Sequence, residues 1–337
     1  MLIGLAITAA TLWYSFRDIS LSNVWRDMGR ANLAILIIPS VPAYFWSVYI
    51  RALRWRHLTE GVASIETGAL FRATAVGFMA NNIFPLRIGE LVRAWYLSRE
   101  CQASGTALVG TVVVERLIDA LCVVTLAALV LGSQGAAATG LDPMSVVVPT
   151  AGLVGLGVAF LIGLRMAPER VIGLGTRGAA ALLPERFAER VEHLLRQLAK
   201  GLSGLRSGRS LMWVGFHSLV LWTVCVTIPF AAAILAMGLD LSGPDVIRAS
   251  FSMLVWIGFA VAIPSAPGFF GPYHAATWVA LRPFGVDKEV AVALGTLAHA
   301  LFWVSTTGLG LAVLRWKGTR LEDTLAGAEA SGEEPVA

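Results

Sequence analysis

The chain has 337 residues, 56% hydrophobic and 14% charged, with a formal net charge of +4 and a mean hydropathy of +0.71. A soluble domain carries nearer a quarter charged residues, so the composition excludes that class and indicates an integral membrane protein. The basic residues stand at the ends of apolar segments and form no single patch, so the positive charge does not indicate nucleic-acid binding.

In chain order, residues 1–16, "MLIGLAITAATLWYSF", lack a basic leading region and a small-residue cleavage site. They read as a short retained helix, not a signal peptide. Residues 17–30 read as a loop carrying Arg17, Arg26 and Arg30. A spanning helix needs about 20 apolar residues, and 31–50, 106–132, 145–165, 210–237 and 289–314 supply them. Two further apolar stretches are interrupted. The stretch 67–98 breaks at Asn81, Asn82 and Pro85, and 248–283 breaks at "PSAPGFFGP", residues 264–272. Pro264, Pro267 and Pro272 with Gly268 and Gly271 cannot lie in one continuous helix.

Lys and Arg set the orientation. The connection 165–209 is basic and reads as cytoplasmic. Within it "PERFAERVEHLLRQLAKGL" reads as an amphipathic helix on the membrane surface. The connection 133–144 has no Lys or Arg and reads as external. "RALRWRH", residues 51–57, and the start of the tail, with Arg315, Lys317 and Arg320, read as cytoplasmic. These assignments close if both interrupted stretches are re-entrant hairpins, 67–98 entering from inside and 248–283 from outside. The expected fold is an all-α polytopic membrane protein of about six spans plus two opposed re-entrant hairpins, open to an inverted-repeat arrangement. It forms one membrane domain over 1–320, both termini cytoplasmic, with a disordered tail at 321–337.

Trp13, Trp25, Trp46, Trp55, Trp95 and Trp316 lie near predicted helix ends and read as interface anchors. "LVGTV", residues 108–112, allows close helix packing. Cys101, Cys122 and Cys225 are few and scattered, and read as small apolar fillers.

Charged residues inside the apolar segments carry the functional reading. On a helix following Pro85, Arg87, Glu90 and Arg93 fall within about 120° of one another, with Glu90 between the arginines. Asn81 or Asn82 can cap that helix, and its positive end points into the bundle as an anion site. A surface helix whose arginines bind headgroups is the plainer alternative. In "VVVERLIDALCVV", residues 112–124, Glu115, Arg116 and Asp119 share one face near mid-span. A mid-bilayer charge costs about 2.5–3.5 kcal/mol on insertion scales, so these face a partner or a cavity. The plainer alternative is an ion-pair cluster locking this helix to the 87–93 piece. In the second break Gly268 and Gly271 permit tight turns, and Pro272 can open the returning half-helix. A plain kinked hairpin is the alternative there. His217, His274 and His299 read as packed or hydrogen-bonded residues, and no catalytic residue, metal site or cofactor is expected.

"NNIFPLRIGELVRAW", then "ERLIDAL", then "PSAPGFFGPYHAA" resembles the lysylphosphatidylglycerol synthase transmembrane-region family, the flippase-like membrane domains. The resemblance runs through nearly the whole chain in order and rests most on Asn, Pro, Arg87-x-Gly89-Glu90 and the following Arg93. In family members the second break often ends in Gly-Gly-x-Gly and an acidic residue, and here Tyr273 and His274 follow instead. The family's synthases carry a soluble aminoacyl-transferase domain after the membrane part. This chain has only a short polar tail, so the resemblance implies a lipid-translocating domain and argues against synthase activity.

The function expected is therefore movement of an anionic phospholipid or a polyprenyl-phosphate-linked lipid between the leaflets of the cytoplasmic (inner) membrane. Arg87, Arg93 and Arg116 would hold the phosphate, since the arginine fork matches phosphate oxygens. Glu90, Glu115 and Asp119 would hold the arginines in the empty state. Asn81 and Asn82 would shape the first break. The alternatives are a membrane enzyme modifying lipid headgroups and a scaffold for a partner protein. HExxH, GxSxG, nucleotide-loop and aspartate-rich metal motifs are absent. A homo-oligomer or an accessory protein remains open.

Overall fold

A computed structural model describes residues 2–84, 87–139, 143–182, 184–202, 205, 207–262 and 266–318. Pro85, Pro264 and the expected tail at 321–337 lie outside the described residues. Those described are overwhelmingly helical and contain no strand, as backbone satisfaction in a bilayer requires.

The helices are α1 (Leu2–Phe16), α2 (Leu21–Arg30), α3 (Leu33–Thr59), α4 (Thr67–Ile83), α5 (Gly89–Cys101), α6 (Gly105–Thr139) and α7 (Pro143–Met166). They continue with α8 (Pro168–Leu182), α9 (Glu185–Gly201), α10 (Gly208–Val220), α11 (Thr227–Ala236), α12 (Gly243–Ala262), α13 (Pro272–Leu281) and α14 (Lys288–Lys317). A π-helical turn, Leu221–Cys225, joins α10 to α11 in one rod. Local chemistry sets several starts. The Asn32 side chain accepts from the N–H groups of Ala34 and Ile35 to open α3, and Ser207 accepts from Ser210 to open α10.

Among the described residues, five helices are long and apolar enough to cross a membrane: Leu33–Thr59, Val147–Met166, Gly208–Ala236, Gly243–Ala262 and Lys288–Lys317. The helix α6 is longer, at 35 residues, but carries Glu115, Arg116 and Asp119. Ile37, Ile38, Leu153, Leu156, Val304 and Leu311 are exposed on outward faces, while Arg54, Glu115 and Asp119 are buried. That inversion of a soluble protein's polarity fits a lipid environment.

Three expectations change. Residues 17–30 are not simply a loop. Most of them form α2, which buries Val24 against Val292 and Ala293 of α14. The span expected at 31–50 runs on to Thr59, so "RALRWRH" is helix interior and not a connection. In the basic 165–209 segment the expected helix is α9, and a second helix that the sequence reading does not contain, α8, precedes it. Further along, Gly243–Ala262 spans 20 residues, about 30 Å of rise. The first limb of the second interrupted stretch is therefore itself long enough to cross, whereas α13 has 10 residues.

Both interrupted stretches fold back on themselves. A methyl group added to Gly89 would overlap the Gly77 carbonyl and the Asn81 side chain, so α5 returns along α4 with backbones in contact. The helices α12 and α13 pack together likewise through Met253, Leu254, Ala276 and Ala280. Two apolar cores result, one centred on α3 to α6 and one on α11 to α14.

Candidate functional site

Six charged side chains from three helices form one cluster. From α6, Glu115 accepts from Arg54 at 2.7 Å, Arg93 at 2.9 Å and Arg116 at 2.9 Å. One helical turn on, Asp119 pairs with Arg54 at 2.6 Å and Arg116 at 2.8 Å, and accepts from the Trp222 indole at 2.9 Å. From α5, Glu90 pairs with Arg93 at 3.0 Å and Arg116 at 3.5 Å. The side chains of Arg54 and Glu115 are fully buried. Each carboxylate meets at least two guanidinium groups, which offsets the desolvation that a lone buried charge would suffer. The α5-to-α6 ion pairs are those of the locking alternative, and they also form one wall of a cavity.

That cavity has a volume of about 180 Å³ and lies between the two cores. Its polar lining includes Arg51, Asn81, Asn82, Arg87, Glu90 and Arg116, and its apolar lining includes Phe78, Trp222, Phe230, Phe269 and Phe302. Of the residues expected at the site, Asn81, Asn82, Arg87, Glu90 and Arg116 line it. Arg93, Glu115 and Asp119 stand behind Arg116 and Glu90 through the contacts above.

The first break is built by specific contacts. Asn81 Oδ1 accepts from the Gly89 N–H at 2.9 Å, capping the start of α5 across the break. Asn82 is buried and donates to Thr306 and Thr307 of α14 at 2.9 and 3.0 Å. The expected helical position of Arg87 is corrected. The helix α5 begins only at Gly89, and Arg87 precedes it with a φ of 56°, which turns the chain. Its guanidinium crosses to the second interrupted stretch, donating to the Val261 carbonyl at 3.0 Å and lying 5.7 Å from the Phe269 ring centre.

The second break turns at Gly268, Phe269 and Gly271, with φ of 73°, 60° and 91°. Pro267 opens a short 3-10 turn and Pro272 opens α13. The helix α1 closes over this turn. Thr8 Oγ1 accepts from the Ala266 N–H at 2.9 Å, and a side chain at Gly271 would meet Thr11. Behind it Tyr273 stacks on His299 at 4.3 Å, and His274 packs edge-on to His299 at 5.6 Å. His217, in α10, stacks between Trp213 and His57. Among the described residues no group of three His, Cys, Asp or Glu side chains could hold a metal ion.

Sequence reasoning missed four contributors. Arg54, fully buried, bridges Glu115 and Asp119. Arg51, one turn earlier on α3, is 7% exposed, and its Nε and Nη1 find no partner among the described residues. Its guanidinium lies over the rings of Phe78 and Trp222, at 5.2 and 5.8 Å. Trp222, carried by the π-helical turn, borders the cavity on one side. On the other it borders an apolar groove of about 660 Å³ lined by α6, α7 and α10. Trp55 is corrected from interface anchor to core residue. It is fully buried, donates to Thr111 at 2.8 Å and lies under Arg93 at 4.7 Å. Trp13, Trp25, Trp46 and Trp316 are exposed. The available signal was the continued helical spacing of apolar Ala52, Trp55 and Leu58 through "RALRWRH", which places Arg51 and Arg54 inside a helix.

The lysylphosphatidylglycerol synthase TM region family matches residues 1–310. The chain belongs to that family. It is 28% identical over 329 residues to the glycosyltransferase AglD of Haloferax volcanii, covering 88% of this chain and 51% of that protein. It thus spans about half the length of that relative. A UPF0104 membrane protein of Methanothermobacter thermautotrophicus is 26% identical over 320 residues, covering 89% of this chain and 90% of that protein. No solved structure matches the chain.

Proposed function

We propose that this membrane protein carries an anionic phospholipid or a polyprenyl-phosphate-linked lipid between leaflets, with the headgroup in the arginine-lined cavity. The observation that carries the reading is Arg51, buried with no ion pair among the described residues and lining the cavity together with Arg87 and Arg116. An unpaired buried charge is costly, and a phosphate oxygen pair would complete its hydrogen bonding bidentately. The aromatic lining supports passage of the chain attached to the headgroup. The neighbouring apolar groove, separated by Trp222, supports a path for lipid tails.

The topology that accompanies this reading has both termini in the cytoplasm and the two interrupted stretches as opposed re-entrant hairpins in the cytoplasmic membrane. A substituted-cysteine scan of 240–288 tests it. Reagent access from the cytoplasm near 284–287 overturns the outward hairpin.

The test of function is lipid exchange in liposomes containing labelled anionic phospholipids or polyprenyl phosphates. Wild type is compared with Arg51→Gln and Arg87→Ala, each checked for folding. Exchange by wild type that both variants lose supports the reading. No exchange of any lipid, with or without an ion gradient, overturns it.

A second reading, a membrane enzyme that modifies lipid headgroups by glycosyl transfer, is favoured by the similarity to a protein named glycosyltransferase AglD. Turnover of a polyprenyl-phosphate acceptor by the pure protein with a nucleotide sugar would establish it. A scaffold role would instead be marked by a stoichiometric subunit that co-purifies.

A further inference from the structure

The arginine-lined cavity and the ion cluster behind it hold unequal numbers of positive and negative groups. Among the described residues, Arg51, Arg54, Arg87, Arg93 and Arg116 supply five guanidinium groups, and Glu90, Glu115 and Asp119 supply three carboxylates. The carboxylates are engaged by Arg54, Arg93 and Arg116, so these six balance one another. The surplus is Arg51 and Arg87, both on the cavity wall. Among the described residues Arg51 has no ion pair, and Arg87 spends one donor on the Val261 carbonyl, a neutral acceptor. The remaining titratable groups on that wall are Tyr44, Tyr273 and Cys225, which are ordinarily neutral at pH 7. In a space of about 180 Å³ with aromatic walls, two unmatched positive charges favour a ligand carrying two negative ones.

We propose that the cavity recognises a phosphomonoester dianion in preference to the single charge of a phosphodiester. This rests on the lipid-carrier reading above and narrows it. A lipid whose phosphate ends the headgroup, such as a polyprenyl monophosphate, fits, and a diester phospholipid such as phosphatidylglycerol leaves one arginine unmatched. The same chemistry exists in free phosphate. A phosphomonoester takes its second proton near pH 6, so the preference disappears on acidification. The histidines behind the walls change binding in the opposite sense. Protonating His274 and His299 behind Tyr273, or His217 near Arg54, adds positive charge and would strengthen anion binding. Loss of binding at low pH therefore reports the proton on the ligand.

The experiment measures binding of hexadecyl phosphate, its methyl diester and inorganic phosphate to the purified full chain in neutral-lipid nanodiscs, at pH 8 and pH 5. The monoester is expected to bind about tenfold tighter than the diester at pH 8, and to fall to within about twofold at pH 5. Arg51→Gln is expected to bring the pH 8 ratio near one, and Arg51→Lys to restore most of it. Displacement of the lipid by inorganic phosphate at matched concentration would support the dianion and assign it to free phosphate. Equal affinity for monoester and diester, or an equal loss of both in Arg51→Gln, overturns the proposal. If the diester binds and also exchanges between leaflets as well as the monoester does, the carrier reading stands and only the dianion preference fails. If neither lipid binds or exchanges, both fail.

Discussion

Arg87 and Phe269 touch across the cavity, and each holds a left-handed backbone conformation, with φ of 56° and 60°. One comes from each interrupted stretch. Residues other than glycine adopt this conformation at a cost of about 1–2 kcal/mol, so both turns are held by surrounding contacts. Arg87 also donates to Val261, in the last turn of the preceding limb of the second stretch. The two breaks are thus fastened to each other by one side chain.

The Arg87 and Phe269 side chains should be energetically coupled. A double-mutant cycle with Arg87→Ala and Phe269→Ala, read by unfolding in detergent, is expected to return a coupling of about 0.5–2 kcal/mol. Additive losses would show that the ring contact contributes nothing.

Arg54 and Arg51 are one turn apart but should behave in opposite ways. Arg54→Met takes one guanidinium from both Glu115 and Asp119, leaving three carboxylates to two arginines in the buried cluster, and is expected to destabilise the protein by about 3–5 kcal/mol. Arg51→Gln breaks no ion pair, and its unfolding midpoint should stay close to wild type. A large loss in Arg51→Gln would mean that the residue is structural and not held ready for a ligand.

Much of this site was legible in the sequence, because its residues interrupt apolar runs where a charge is costly. Asn81, Glu90, Arg93, Glu115 and Asp119 all stand out for that reason. Arg54 did not, since positive residues directly after an apolar run also mark the cytoplasmic interface. Its carboxylate partners lie 61 and 65 residues away, a pairing that no local pattern encodes. A regular helix carried back to Pro85 misplaces Arg87. Helical geometry starts only at Gly89, where the Asn81 amide meets the first free N–H. The fold-back of each interrupted stretch follows from its proline and glycine content. The extension of α3 to Thr59 shows up only as apolar spacing among basic residues.

Gly89 should tolerate no side chain. In Gly89→Ala the added methyl meets the Gly77 carbonyl and Asn81, so the limbs must separate. The expected cost is about 1–3 kcal/mol, seen as a lowered unfolding midpoint. Gly215→Ala, where nothing lies near the added methyl, is the control and should leave the midpoint almost unmoved.

Trp222 is expected to contribute twice. Trp222→Phe keeps a ring between cavity and groove but removes the hydrogen bond to Asp119, at about 1.5–3 kcal/mol for a bond to a charged acceptor. Trp222→Ala also removes the wall. In liposomes the alanine variant should change the exchange rate by more than the phenylalanine variant does. Equal rates would separate Trp222 from the lipid path.

The π-helical turn that carries Trp222 has a mechanical consequence. Such a turn holds one residue more than the α-helical turn it replaces, and that surplus can pass to a neighbouring turn without breaking the rod. Each passage rotates the side chains it crosses by about 100°. Trp222 would swing from Asp119 toward the groove while α10 and α11 kept their ends fixed. The partition then works as a revolving door hung on a helix, with Asp119 as its latch. Deleting Thr223 would remove the surplus residue and fix the door. If that deletion variant exchanged lipid at the wild-type rate, the rotation would have no part in transport.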